Sequence, residues 1–78
     1  MNPTKYIIVN ARGTDGYTIV REYADGSQDS GSGWYGDIES AYNNAAENRE
    51  ENSSAKIING TDVDEDDLRE YFGIVFDA

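Results

Sequence analysis

Seventy-eight residues carrying sixteen Asp and Glu against six Lys and Arg, a net charge of −10, with neither Cys nor His, describe one small domain (1–78) held together by apolar packing alone. The missing Cys and His exclude disulfides, thiolate metal sites and the usual nucleophile–base pairs, and the charge excludes a surface that neutralises nucleic-acid phosphates. Twelve of the acids fall from Asp37 onward against only Arg49, Lys56 and Arg69, a net of −9. Six Tyr, two Phe and one Trp beside many Ile and Val separate the chain from a disordered acidic tail.

In chain order, residues 4–11 are dense in β-branched and aromatic side chains. Residues 17–23 alternate, with Tyr17, Ile19, Arg21 and Tyr23 on one face and Thr18, Val20 and Glu22 on the other. Both predict strands. Between them Arg12-Gly13-Thr14-Asp15-Gly16 supplies turn glycines, which predicts an antiparallel hairpin. Ala24-Asp25-Gly26 predicts a second reversal, and residues 27–32 a short, polar edge strand.

From Ile38 the period changes. Ile38, Ala41, Tyr42, Ala45, Ala46 and Arg49 form the stripe of an amphipathic helix capped by Asp37. Glu39, Asn43, Glu47, Glu50 and Glu51 lie off the stripe, Asn52-Ser53-Ser54 ends the helix, and residues 55–59 make a strand centred on Ile57 and Ile58. A second helix starts at Asp64. Asp67 stands at the capping-box position, and Val63 and Leu68 stand at the two positions of a hydrophobic staple. Leu68, Tyr71 and Phe72 are its expected buried edge, Gly73 its C-terminal cap, and residues 74–76 a final short strand. The order β-β-(β)-α-β-α-(β) predicts an α+β fold: a small, mainly antiparallel sheet with two helices packed on one face.

Two motifs fail on their details. Gly31-Ser32-Gly33-Trp34-Tyr35-Gly36 has the spacing of a dinucleotide loop. No apolar strand leads into it, however, and Trp34 and Tyr35 are bulky where backbone must approach phosphate. Asp62, Asp64 and Asp66 match the first ligands of a calcium loop, but Asp67 replaces its required glycine and Gly73 its closing glutamate. No metal or cofactor is therefore expected. Carboxylates are too abundant for any pair to mark catalysis, so the expectation is a protein that is not an enzyme.

The acids themselves remain. Carboxylates at i, i+3 and i+4 along a helix stand about 5–6 Å apart, a density comparable to the phosphates of duplex DNA. Asp64, Glu65, Asp66, Asp67 and Glu70 on the second helix, with Glu47, Glu50 and Glu51 on the first, form the candidate partner-binding array. Asp64 and Asp67 also serve the helix start, where first-turn carboxylates each gain about 0.3–1 kcal/mol from the helix dipole. Trp34 and Tyr35, in a Gly/Ser loop, are candidate interface anchors.

In size, charge and its Asp64-Glu65-Asp66-Asp67 and Glu47-Asn48-Arg49-Glu50-Glu51 clusters, the chain resembles the small acidic DNA-mimic inhibitors of phages and mobile elements, the anti-CRISPR and anti-restriction class. That resemblance implies a stoichiometric inhibitor. Its partner would be a basic nucleic-acid-binding protein or CRISPR effector complex, with no direct nucleic-acid contact and no membrane, and the protein itself would be a monomer or small homo-oligomer. Two other readings stand beside it: a halophile-adapted domain, and an antitoxin-like regulatory module with a basic partner. One cation followed by four apolar residues at the N-terminus is too short for a signal-peptide core, and no apolar run reaches a membrane span. The expected location is therefore the cytoplasm, the host cytoplasm for a phage product.

Overall fold

A computed structural model describes residues 3–13, 15–30, 33–51 and 55–77, without the side chains of Glu50 and Glu51. Four strands, β1 (Lys5–Asn10), β2 (Tyr17–Glu22), β3 (Gln28–Ser30) and β4 (Lys56–Asn59), and two helices, α1 (Ile38–Glu51) and α2 (Glu65–Phe72), follow in the order β1-β2-β3-α1-β4-α2. The strands form one mixed sheet, β3-β2-β1-β4, in which β1–β2 and β2–β3 are antiparallel and β1–β4 is parallel. The α+β architecture read from the sequence is the one observed.

The two hairpins come from local chemistry. The 11–16 loop closes with Ala11 N–H donating to the Gly16 carbonyl at 2.9 Å. The second turn closes with Gly26 N–H on the Tyr23 carbonyl, and Asp25 accepts from the Ser27 amide and hydroxyl. The expected edge strand is present as the three residues of β3, all exposed and all polar, a sequence that discourages further strand pairing. It is fastened to β2 by Arg21, whose guanidinium donates to Asp29 at 2.7 Å, and by the Tyr23 hydroxyl on the same carboxylate.

Alternation along β1, β2 and β4 sends Tyr6, Ile8, Ile19 and Ile57 to one face, each no more than 5% exposed. On that face lie Ile38, Ala41 and Ala45 of α1 and Leu68 of α2, so both helices share a single core. The alanines, fully buried, let α1 run close over the sheet in the crossover between β3 and β4. Asp37 caps α1, accepting from the Ser40 amide at 2.7 Å. That bond holds the Asp37 carboxyl below its usual range.

Two expectations are corrected at the C-terminal end. Tyr71 and Phe72 are not buried: they are 74% and 53% exposed, and Leu68 alone of α2 is buried. The helix has only two turns, and Gly73, at φ 70°, reverses the chain so that Ile74 N–H reaches the Leu68 carbonyl at 3.2 Å. Ile74 and Phe76 thereby fill the space that the aromatic residues were expected to fill. Residues 74–76 are also not a strand. The Val75 carbonyl accepts from the Tyr42 hydroxyl on α1, and the link to the free edge of β4 falls two residues later. There Asp77 N–H donates to the Ile57 carbonyl at 2.9 Å, while the Asp77 carboxylate, not a backbone carbonyl, accepts from the Ile57 amide at 2.9 Å. A side chain thus takes the place of a strand partner.

Candidate functional site

The acidic face of α2 is built from its first turn. Asp64 holds an extended backbone and its carboxylate accepts from the Asp66 amide at 2.8 Å, one residue short of the capping-box bond to Asp67. Val63 packs on the core beside Leu68, as a hydrophobic staple requires. With Leu68 inward, a period of 3.6 puts Asp66 and Glu70 on the opposite side of the helix, Asp67 on a flank and Glu65 about 60° from Leu68. All four are exposed.

Arg69 donates to Asp66 at 2.8 Å, a pair in which both side chains are mostly in solvent and which therefore holds little energy. Among the described residues, Glu65, Asp67 and Glu70 have neither an ion pair nor a side-chain hydrogen bond. Asp64 keeps its local duty as cap. Among the described residues the other arginine–carboxylate pairs are Arg21–Asp29 and Arg49–Asp77, neither of which involves a residue of α2. The α2 carboxylates thus have, among the described residues, one ion-paired neighbour, Arg69.

Glu47 of α1 is exposed and without a described partner, whereas the side chains of Glu50 and Glu51 lie outside the described residues. Contact between α1 and the C-terminal region runs through residues 74–77: the Tyr42 hydroxyl on the Val75 carbonyl, the Tyr42 and Phe76 rings edge to face at 5.6 Å, and Arg49 on Asp77 at 3.1 Å. Among the described side chains, the expected array consists of the acids of α2 and Glu47 of α1.

Trp34 and Tyr35 separate. The Tyr35 backbone pairs with Tyr17 in an antiparallel bridge, and its side chain packs against the core. Trp34 points to the other side, with its indole standing where a Cβ on Gly16 would project, 2.3 Å from that position, so that only glycine fits there. The Thr18 hydroxyl, on the same outer face, donates to the Gly33 carbonyl at 3.0 Å and holds the segment down. Trp34 remains 56% exposed, on the face of the sheet opposite the acidic helices.

Sequence periodicity missed the apolar neighbours of the acids. Tyr71, Phe72 and Val75, the last 61% exposed, surround the end of α2. The signal was the glycine at 73, which turns the chain back after two helical turns so that Ile74 and Phe76 reach the core. A shallow hollow of about 90 Å³ lined by Glu65, Arg69, Ile74, Val75 and Phe76 lies alongside. It is well short of the roughly 300 Å³ at which small-molecule pockets begin. Among the described residues no three acids converge to hold a metal ion, and no helix is long and apolar enough to cross a membrane.

No protein-family model, curated protein or solved structure matches the chain.

Proposed function

We propose that this protein is a non-catalytic inhibitor that offers the carboxylates of α2 to a basic nucleic-acid-binding surface, in the manner of anti-CRISPR or anti-restriction proteins. The observation that carries this reading is the set Glu65, Asp67 and Glu70, exposed and without a described partner, extended by Asp64 and Asp66 and standing beside exposed Tyr71, Phe72 and Val75. The helix dipole favours carboxylates in the first turn of α2, but it gives no reason for Glu70 in the second. These carboxylates gain little from cations, since Arg69, paired with Asp66, is the one positive side chain of α2. A partner surface of Lys and Arg gains both Coulomb attraction and faster encounter. The apolar residues at the end of the helix give such a complex a part that salt does not screen.

The test is competition. Purified CRISPR effector complexes and restriction nucleases are incubated with the protein, and their binding to target duplex is measured between low and high salt. Inhibition of one of them that weakens as salt rises, and is abolished by E65K/D67K/E70K with the fold intact by circular dichroism, is the expected result. Inhibition of none, or inhibition indifferent to the triple reversal, refutes the reading.

A further inference from the structure

The loop that joins β4 to α2 holds a reactive pair that the acidic site leaves unused. Asn59-Gly60 is the chain's only Asn-Gly step, a dipeptide prone to deamidation because a residue without Cβ lets its backbone nitrogen approach the preceding side-chain amide. The fold keeps glycine there. A Cβ at position 60 would stand 2.9 Å from the Ile7 side chain and 3.0 Å from the Ile8 carbonyl. Both reacting groups are locked. The Gly60 N–H donates to the Ile8 carbonyl at 2.8 Å. The Asn59 side-chain oxygen accepts from the Thr61 amide at 2.9 Å and from the Thr61 hydroxyl, and its Nδ2 donates to the Val63 carbonyl at 3.1 Å. The Val63 amide in turn donates to the Thr61 hydroxyl at 3.1 Å, so one short network ties the end of β4 to the residue that precedes the cap of α2.

We propose that Asn59 is a self-modification site kept closed by the docking of α2, and that its deamidation releases the acidic helix from the sheet. The Gly60 nitrogen, giving up its proton, attacks Asn59 Cγ. The new N–C bond replaces the Cγ–Nδ2 bond, and Nδ2 leaves as ammonia with that proton. Water then opens the cyclic imide, at one carbonyl to give aspartate and at the other to give isoaspartate. No reagent beyond water enters. The loop must open first, and its weakest neighbour controls that opening. Leu68 is the one buried residue of α2, and Val63, the last link of the network, is half-buried against the same core. An element with so little buried surface opens ahead of the sheet. The product does not close again. An aspartate at 59 has no N–H to give the Val63 carbonyl and adds charge to a segment that already holds Asp62 and Asp64. Isoaspartate lengthens the backbone between β4 and α2 by a methylene.

The experiment incubates the full chain in mildly alkaline buffer, native and in urea, and follows the mass gain at Asn59 by peptide mass spectrometry. Reaction in the native chain should be about tenfold or more slower than in urea, because chemistry slower than reclosing samples only the open population. Leu68→Ala should speed the native reaction about tenfold or more. Ile19→Ala, a truncation of like size on β2, weakens the whole fold without undocking α2 and should speed it less. Should either truncation fail to fold, Thr61→Val decides: it removes the hydroxyl from both of its bonds and should speed the reaction with the core intact. Asn59→Asp reproduces one product, and amide exchange over 65–72 should rise in it while exchange in β1 and β2 stays slow. Equal rates in native buffer and urea, equal acceleration by Leu68→Ala and Ile19→Ala, no acceleration by Thr61→Val, or unchanged exchange in Asn59→Asp overturns the proposal. No partner of α2 enters these measurements, so this reading and the inhibitor reading can each fail without the other.

Discussion

Replacing Asp77 tests whether a single carboxylate closes the edge of the sheet. In the native structure its Oδ2 accepts from the Ile57 amide at 2.9 Å and from Arg49 at 3.1 Å, while its own N–H stays on the Ile57 carbonyl. Asp77→Ala removes the acceptor and leaves the amide of a residue with no solvent exposure unpaired, which costs about 1–3 kcal/mol. The lost pair with Arg49, where both side chains are more than a third exposed, adds at most about 1 kcal/mol. Asp77→Asn keeps an oxygen in place and gives up only the charge, so it should lose no more than that smaller part. Against a total of about 4–12 kcal/mol for a chain of this length, the alanine variant is easily measured. Urea unfolding followed by far-ultraviolet circular dichroism reads both variants without adding salt. Hydrogen exchange at the Ile57 amide should accelerate in Asp77→Ala and stay slow in Asp77→Asn. A loss below about 0.5 kcal/mol for alanine, or equal losses for the two, would refute the edge-closing role.

Other outcomes follow from the same packing. Leu68→Ala empties the one buried position of α2 and should cost about 2–5 kcal/mol in urea unfolding, with amide exchange across residues 65–72 rising ahead of that in the sheet. Gly73→Ala puts a Cβ at φ 70° with nothing within 4 Å, so its cost is purely conformational, about 1 kcal/mol, read as a lowered Tm. The Asp29 carboxyl is held below its usual range by the Tyr23 hydroxyl and then by Arg21, and that of Glu22 by Gln28 and then by Lys5. A depressed folded-state pKa contributes stability that is present above the ordinary carboxylate range near pH 4 and is lost as pH falls through the lower folded value. Stability measured from about pH 5 down to about pH 2 should therefore fall less steeply in Asp29→Asn than in the parent chain, and identical slopes would argue against the Tyr23–Asp29–Arg21 cluster.

Much of this fold was legible in local pattern, because the decisive signals were short in range. The alternation of 17–23, the stripe from Ile38 to Arg49, the caps Asp37 and Asp64 and the glycine at 73 each act within one or two turns of chain, and each stands where its chemistry placed it. The errors fall where an element's neighbours decide. Tyr71 and Phe72 have the right spacing for a buried edge, yet Ile74 and Phe76 fill that space once Gly73 turns the chain back. Residues 74–76 have strand composition but meet α1 through the Val75 carbonyl and β4 through an aspartate.

The acids show the same division. Composition alone determined that this protein carries ten excess negative charges and lacks the groups for thiol or imidazole chemistry. Helical periodicity determined which carboxylates of α2 share a side. Only the tertiary structure decided that the sheet is mixed, that Trp34 and Tyr35 part to opposite faces, and that the two lysines meet on the side away from the helices. The physical reason is register. Lys5 and Lys56 are fifty-one positions apart, and only the parallel pairing of β1 with β4, closed over the intervening helix, makes them neighbours.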